Sequence, residues 1–365
     1  MFKNEHGRLH EITKELGLDR YTGWWHGVTT GDLDGDGRLD IIASNWGLNS
    51  DYQASSNQPA LLYYGDFSDR GALDLIEAVY NPMQKAMVPR RMRDALTTAY
   101  PPVVGQFPTY KAYAEATLEQ VLAVIPKPAG QVQATTLASM VFFNRTNYFE
   151  AVEMPYAAQI APAFAVNVGD VDGDGNEDIF LSQNFFALVT SASAHLFQKS
   201  EAGRRLDAGR GLWLRGTGGG KLEAVPGQKS GILIYGEQRG AALGDFDGDG
   251  RVDLAASQNG AETKLYRNVL GKPGLRVRLA GPPGNPDGVG ATLRLVFGSR
   301  MGAAREIHGG SGYWSQDSTV QVMGCPEPPT QIWVRWPGGK TTTSPIPAGA
   351  KEIIVDPDGK IIATR

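Results

Sequence analysis

The sequence lacks the features that would cross-link the chain covalently or place it in a membrane. Cys325 is the one cysteine in 365 residues, which excludes an intramolecular disulfide and a cysteine-based metal cluster. No apolar run reaches the roughly 18 residues that a membrane-spanning helix needs. No apolar signal segment follows Met1, so we expect either an intracellular protein or a chain that begins inside a longer product.

The charge balance also excludes some partners. The chain has 35 basic and 39 acidic residues and a net charge of −4, which gives no reason to expect a nucleic acid or an anionic membrane surface. Aromatic residues make up 9% of the chain, enough apolar surface to exclude overall disorder. The 46 glycines are nearly twice the usual share of ~7%. Such an excess without a collagen period indicates many tight turns and a mainly β fold.

Three segments repeat without gaps: GDLDGDGRLDIIAS at 31–44, GDVDGDGNEDIFLS at 169–182 and GDFDGDGRVDLAAS at 244–257. We call residues 32–40, 170–178 and 245–253 the first, second and third acidic loops and number their positions 1 to 9. Aspartates stand at positions 1, 3, 5 and 9 of each loop, namely Asp32, Asp34, Asp36, Asp40, Asp170, Asp172, Asp174, Asp178, Asp245, Asp247, Asp249 and Asp253. Position 7 can add a backbone carbonyl, from Arg38, Asn176 and Arg251.

This spacing predicts three calcium sites. Carboxylates at positions 1, 3 and 5 of a tightly turned loop converge on one point, glycine at position 6 permits the turn, and the position-9 aspartate completes an all-oxygen shell. Mg²⁺ is less suited because it retains water ligands. An EF-hand requires glutamate at position 12, where the sequence has Ala43, Leu181 and Ala256. A plain Asp-Gly hairpin turn is the alternative, but four uncompensated carboxylates would repel one another.

A fourth, degenerate copy reads GDFSDRGALDLIEA at 65–78. Asp66 and Asp74 keep positions 1 and 9, Ser68 replaces the aspartate at position 3, and Arg70 stands at position 5. Because the Arg70 guanidinium would substitute for the ion, we predict a blade without a metal ion.

The acidic loops, each followed by an apolar strand, resemble the FG-GAP/VCBS repeats of integrin-like β-propellers. From about residue 288, the segments GVGATLRLVF, REIHGGSGYWSQ and IWVRWPGGK resemble the ASPIC/UnbV domain, which follows such repeats in the cartilage acidic protein-like family. Met323-Gly324-Cys325 departs from the Leu-Gly pair usual there. The resemblance implies an extracellular, periplasmic or cell-surface protein.

The predicted organisation has two parts. Residues 1–270 are assigned to FG-GAP/VCBS-type β-propeller blades, a partial propeller with a helical insertion at about 82–127, and residues 271–365 to a small antiparallel β-sandwich or barrel. Apolar spacing predicts a helix from Thr109, as N-cap, to Ile125, with a weaker helix over 90–98. The apolar face either packs on the sheet or binds a partner. The short propeller suggests a truncated N-terminus.

Catalytic signatures are weak, and we predict no catalytic or organic-cofactor residues. GGSGY at 309–313 lacks the final glycine of a nucleophile elbow, and PGGKTTT at 337–343 lacks the first glycine of a P-loop. Trp24, Trp25 and His26 form either a binding platform or part of the core, and Asn144-Arg145-Thr146 is a lone glycosylation sequon. Catalytic carboxylates outside the acidic loops have no signature in a sequence.

These observations predict a calcium-binding, non-enzymatic extracellular interaction or adhesion module that binds a protein or a glycan. The alternative is a secreted glycan-binding or glycan-cleaving propeller enzyme.

Overall fold

The structure, a computed structural model, describes residues 1–126, 128–189 and 204–364. The strands are β1 (Phe2–Glu5), β2 (Arg8–Glu11), β3 (Gly27–Gly31), β4 (Asp40–Ser44), β5 (Ala60–Gly65), β6 (Asp74–Asn81), β7 (Ala86–Pro89), β8 (Gly130–Ala134), β9 (Met140–Asn144), β10 (Phe149–Glu153), β11 (Ala163–Gly169), β12 (Asp178–Gln183), β13 (Phe185–Val189), β14 (Arg204–Leu206), β15 (Leu212–Gly216), β16 (Leu222–Val225), β17 (Glu237–Gly244), β18 (Asp253–Asn259), β19 (Lys264–Tyr266), β20 (Leu275–Leu279), β21 (Thr292–Phe297), β22 (Arg300–Met301), β23 (Arg305–Glu306), β24 (Gln321–Met323), β25 (Gln331–Arg335), β26 (Thr341–Pro345), β27 (Glu352–Val355) and β28 (Ile361–Thr364).

Helices are short by comparison: α1 (Arg93–Ala99), α2 (Val103–Gln106), α3 (Tyr110–Ala114), α4 (Leu118–Leu122), α5 (Gly227–Ser230) and a 3₁₀ turn at Tyr156–Ala158. The prediction of a mainly β fold is therefore confirmed. None of the helices in the described residues has the length and apolar character to cross a lipid bilayer.

The chain divides into two compact units. Unit 1 consists of Met1–Trp24, Leu48–Leu137 and Ala187–Arg205, and unit 2 of Trp25–Gly47, Ala138–Phe186 and Leu206–Arg365. The domain boundary predicted between residues 270 and 271 does not coincide with a boundary of these units, and it stays a prediction.

Unit 1 contains the β1–β2 hairpin and an antiparallel sheet in the order β7-β6-β5-β8. Helices α1 to α4 lie in the predicted insertion and cover this sheet. Their apolar side chains, such as Leu96, Tyr113 and Val121, share a core with Ile76 and Ala78 of β6. The expectation that the helical face packs on the sheet is thus confirmed.

The single helix predicted from Thr109 to Ile125 is wrong, because the structure has two short helices there. Thr109 does cap α3, since its Oγ1 accepts a hydrogen bond from Ala112 N at 3.1 Å. Thr117 then starts α4 with a capping box: Gln120 N donates to Thr117 Oγ1, and Thr117 N donates to Gln120 Oε1 at 2.9 Å. An N-cap has extended backbone angles, so it interrupts the preceding helix.

Unit 2 contains three sheets that each include one acidic-loop hairpin. Their orders are β10-β9-β4-β3, β11-β12-β15-β16 and β17-β18-β19, and β3–β4, β11–β12 and β17–β18 are the hairpins. The strands flanking the second loop are buried almost throughout, which explains their continuous apolar runs. The propeller arrangement remains a prediction, while the hairpins themselves are as expected.

Residues 271–365, the C-terminal region, fold into two sheets around one core. The orders are β24-β20-β27-β28 and β22-β21-β25-β26, with β23 also paired to β21. Val277, Leu293, Ile332 and Trp336 are among the core residues that both sheets share. One predicted detail is wrong: β20 and β27 pair in parallel, so the first sheet is mixed. The sequence between them is long enough for the crossover that a parallel pair requires.

Candidate metal centres

Each acidic loop brings carboxylate oxygens from three aspartates to within 4.8 Å of one another. The groups are Asp32, Asp34 and Asp36; Asp170, Asp172 and Asp178; and Asp245, Asp247 and Asp253. The glycines at positions 4 and 6 have positive φ in all three loops, for example 76° at Gly35 and 89° at Gly37. A side chain at these positions would strain the turn, so glycine is required for the convergence.

The remaining predicted ligands lie in the same loops but outside these groups. Asp40, Asp174 and Asp249 are not members of the three convergent sets. At position 7, the backbone N–H groups of Arg38, Asn176 and Arg251 donate to the position-5 aspartates at 2.8, 2.9 and 3.0 Å. Coordination by their carbonyl oxygens stays a prediction.

The position-1 aspartate of the first loop has an oxygen that is buried and has no hydrogen-bond partner. Asp32 is 1% exposed, and its Oδ2 accepts hydrogen bonds from Gly37 N at 2.9 Å and Ala304 N at 2.7 Å. Its Oδ1 has no partner. A buried acceptor without a donor is costly, so this atom is suited to a bound cation.

The position-9 aspartates connect each loop to the third strand of its sheet. One oxygen accepts the position-2 N–H, at 3.0, 2.9 and 3.1 Å in the first, second and third loops. The other accepts from Asn144 N on Asp40, Gly216 N on Asp178 and Asn268 N on Asp253, at 2.8, 2.7 and 2.7 Å. Each carboxylate oxygen has a second lone pair, which leaves room for a metal bond.

Burial raises the pKa of several loop carboxyls. The pKa of Asp40 and of Asp170 rises to about 7, and that of Asp178 to about 8; burial is the largest cause, and neighbouring carboxylates add to it. The pKa of Asp32 and of Asp253 is raised for the same main reason. A positive charge nearby would favour the ionised form of these buried carboxyls.

Four uncompensated carboxylates were expected in each loop, but arginine side chains pair with the aspartates at positions 3 and 5 of all three loops. Arg145 lies 2.5 Å from Asp34, Arg215 lies 2.6 Å from Asp172, and Arg267 pairs with Asp247. Each of these arginines is next in sequence to the residue whose N–H binds the position-9 aspartate. This recurrence lies outside the acidic-loop motif. Because these guanidiniums pair with the position-3 carboxylates and Arg276 pairs with Asp245 at position 1 of the third loop, the case for a cation rests on Asp32, Asp170 and the position-9 aspartates.

The fourth copy adopts the same turn around an arginine. Asp66 accepts from Arg70 N at 3.0 Å, and Asp74 accepts from Phe67 N at 3.1 Å, as the position-9 aspartates do in the acidic loops. The Arg70 guanidinium contacts Ser68 and lies 3.6 Å from Asp74. The cationic side chain occupies the position predicted from the sequence.

A pH dependence follows from the raised pKa values. In protein without a bound cation, the folded state holds protons on Asp178, Asp40 and Asp170 that the unfolded state, with a pKa of 3.8, has released. Their stabilisation is fully present below pH 3.8 and is lost as pH rises through about 7 to 8. We expect the melting temperature in EDTA to fall between pH 6.5 and 8 and the Asp178→Asn variant to show a flatter profile. A metal-free melting temperature that rises over this range would contradict the assignment.

Residues 308–318 of the C-terminal region lie across the strands that begin the three hairpins. Thr30 Oγ1 is 2.9 Å from His308 Nε2, Gly312 N donates to Val28 O at 2.9 Å, and Leu243 N donates to Asp317 at 2.7 Å. One cavity beneath this segment measures about 40 Å³, enough for a water molecule, and a second, between Ser318 and the third hairpin, measures about 290 Å³.

The other candidate residues serve local packing. Trp24 contacts Tyr52 edge-to-face at 4.5 Å, and Trp25 contacts Phe142 at 5.9 Å. His26 stacks on Phe164 at 4.4 Å, and burial lowers its pKa. These contacts favour core packing over a binding platform.

The asparagine side chain of the glycosylation sequon makes two hydrogen bonds within the protein. Asn144 Nδ2 donates to Leu39 O at 3.2 Å, and its Oδ1 accepts from Thr146 N at 2.9 Å. A side-chain amide engaged at both ends is poorly placed to accept a glycan.

Comparison with known proteins identifies the C-terminal part. The sequence is 25% identical over 358 residues, 95% of this chain, to cartilage acidic protein 1 of Xenopus tropicalis. The match covers 47% of that protein, so the chain spans about half the length of this curated relative. The family model described as ASPIC and UnbV matches residues 281–361, which contain β21 to β27. Residues 281–361 are therefore an ASPIC and UnbV domain.

Proposed function

We propose that this chain is a calcium-binding, non-enzymatic interaction module whose three acidic loops each hold one Ca²⁺ ion. The observation that carries the proposal is the buried Asp32 Oδ1, which has no hydrogen-bond donor and belongs to a convergent group of carboxylates. The raised pKa values of Asp170 and Asp178 support the same conclusion for the second loop.

The donor chemistry favours calcium. All the convergent atoms are carboxylate oxygens, which suit a hard cation, and a dedicated protein cage suits Ca²⁺ better than Mg²⁺. Position 12 lies within β4, β12 and β18, so the EF-hand glutamate has no counterpart here. Extracellular calcium modules bind at ~10⁻⁴–10⁻³ M, and we propose that this chain likewise works outside the cytoplasm.

The three hairpin sheets support an assignment to FG-GAP/VCBS-type blades. Each repeat places an acidic loop between two paired antiparallel strands, and the position-9 aspartate accepts a hydrogen bond from the end of the third strand or the residues just after it. Calcium would rigidify these loops, and the sheets with the ASPIC and UnbV domain would present a surface to an extracellular protein or glycan.

The coverage of β3, β11 and β17 by residues 308–318 favours a binding module over an enzyme. A glycan-cleaving site needs open space and a pair of acidic residues: the cavity beneath this segment is about 40 Å³, and the acidic residues that line the larger cavity beside it, of about 290 Å³, are Asp245 and Asp253 of the third acidic loop. Glycan-array binding without turnover would agree with the module. Hydrolysis that disappears on replacing an aspartate or glutamate outside the acidic loops would favour the enzyme.

The direct test is to count bound ions by native mass spectrometry in millimolar calcium. We expect three ions on the unaltered chain and two on Asp32→Asn, because the amide removes the anionic charge of a buried ligand. The matched control is Asp66→Asn, the position-1 aspartate of the fourth copy, which should keep all three ions. The proposal fails if the unaltered chain binds none, or if both variants bind the same number as the unaltered chain.

A further inference from the structure

We infer that cation occupancy of the acidic loops holds the C-terminal region in its docked position, so that calcium binding and docking are energetically coupled. This inference rests on the proposed calcium sites and adds a regulated partner, namely residues 271–365 of the same chain. The contacts that carry it are found at all three loops and lie within unit 2.

At the first loop, one carboxylate faces both the candidate ion and the C-terminal region. Asp32 Oδ2 accepts the Ala304 N–H at 2.7 Å, while Oδ1 has no hydrogen-bond partner. Binding a cation through Oδ1 would fix the orientation of the carboxylate and, with it, the position of the Oδ2 acceptor that the Ala304 N–H uses. Hydrogen exchange at the Ala304 N–H should therefore report whether the first acidic loop holds a cation.

At the second loop, the C-terminal chain packs against the position-1 carboxylate without space for a side chain. A Cβ atom on Gly324 would lie 1.7 Å from Asp170 Oδ2 and 2.9 Å from Gly175 N. Lys272 N also donates to Asp172 O at 2.9 Å. The close approach requires the carboxylate to stay where the loop now holds it.

At the third loop, a charged side chain makes the contact. Arg276 Nη1 donates to Asp245 Oδ2, and its Nε lies 3.3 Å from Glu352 Oε2 on the parallel strand β27. Gly274 N donates to Gly250 O at 2.8 Å. Three separate points on residues 272–324 therefore depend on the shape of three acidic loops.

The physical basis of the coupling is the repulsion between carboxylates. Without a cation, the carboxylates within a loop repel one another and move apart, and this movement displaces the acceptors that the C-terminal region uses. The C-terminal region has a core of its own, around Val277 and Leu293, so a weakening of its contacts with the loops does not require that core to unfold. Because coupling between two sites is reciprocal, a disturbance on the C-terminal side should also weaken ion binding.

Hydrogen exchange on the full chain tests the first direction. With EDTA in place of calcium, we expect the amides of Lys272, Gly274 and Ala304 to exchange at least tenfold faster. The amides of Ile332 and Val334, inside the C-terminal core, should be unchanged. Equal exchange of the first three amides in both conditions, with ions shown to bind, would overturn the inference and leave the calcium sites standing.

A glycine pair tests the reverse direction. Gly324→Ala replaces no ligand but forces the C-terminal chain and the Asp170 carboxylate apart, so it should weaken calcium binding at one site at least fivefold in a calorimetric titration, the lower end of typical coupling. Gly284→Ala is the matched control, because a Cβ there meets nothing within 4 Å. Equal affinities in the two variants would overturn the inference. If Gly324→Ala does not fold, the exchange comparison on the unaltered chain decides alone.

Discussion

Removing calcium with EDTA should cause a large loss of stability in this protein. In millimolar calcium, an ion that binds only the folded state with a Kd of ~10⁻⁴ M stabilises it by about 1.4 kcal/mol, so three independent sites add up to roughly 4 kcal/mol. That sum is a large part of the total stability of a typical domain, about 5–15 kcal/mol. We therefore expect unit 2, which contains all three acidic loops, to lose its cooperative thermal transition or to melt at a much lower temperature in EDTA.

The measurement is a thermal melt followed by circular dichroism, in millimolar calcium and in EDTA at the same ionic strength. A variant with Asp32→Asn, Asp170→Asn and Asp245→Asn together is the control. It should melt at one temperature in both buffers, because it lacks the position-1 charge in every loop. Equal melting temperatures for the unaltered chain in both buffers would refute the calcium assignment.

The local part of the site could be predicted from the sequence, and the distant part could not. The spacing of aspartates and glycines within nine residues determines the turn, so the hairpins at the three loops are where the motif predicts them. Arg145, Arg215 and Ala304 come from far along the chain, and contacts at such separation have no local signature. The two arginines compensate position-3 carboxylates, whereas the Ala304 N–H binds the position-1 carboxylate of Asp32.

The two fold errors have different origins. The break between α3 and α4 has a sequence signal, the capping-box pattern Thr117-Leu118-Glu119-Gln120. The prediction of a single helix gave more weight to the apolar periodicity. The parallel pairing of β20 and β27 depends on which strands become neighbours in the sheet. The alternation of apolar residues along a strand is the same in parallel and antiparallel pairs. Only tertiary packing distinguishes those arrangements.

Replacing Arg305 by methionine should destabilise the protein by about 3–5 kcal/mol, since it leaves a buried carboxylate without its partner. Arg305 Nη2 lies 2.6 Å from both carboxylate oxygens of Glu177, and Nη1 donates to Val322 O at 2.5 Å. The two residues are 8% and 4% exposed, so water cannot replace the lost charge. Glu177 precedes Asp178 directly, and the pair therefore joins β23 of the C-terminal region to the second acidic loop.

Urea unfolding in saturating calcium measures this effect, with Arg300→Met as the matched control. Arg300 pairs with Glu327 at 2.8 Å, but both side chains are 56% exposed, and exposed pairs contribute about 0–1 kcal/mol. The double variant Glu177→Leu with Arg305→Met removes both charges and should recover much of the stability, since a buried pair often breaks even against apolar residues of similar size. Similar losses for Arg305→Met and Arg300→Met would mean that the Glu177 carboxylate reaches water or a proton once its partner is gone. Recovery in the double variant would instead establish that desolvation of an unpaired charge is what makes the single substitution costly.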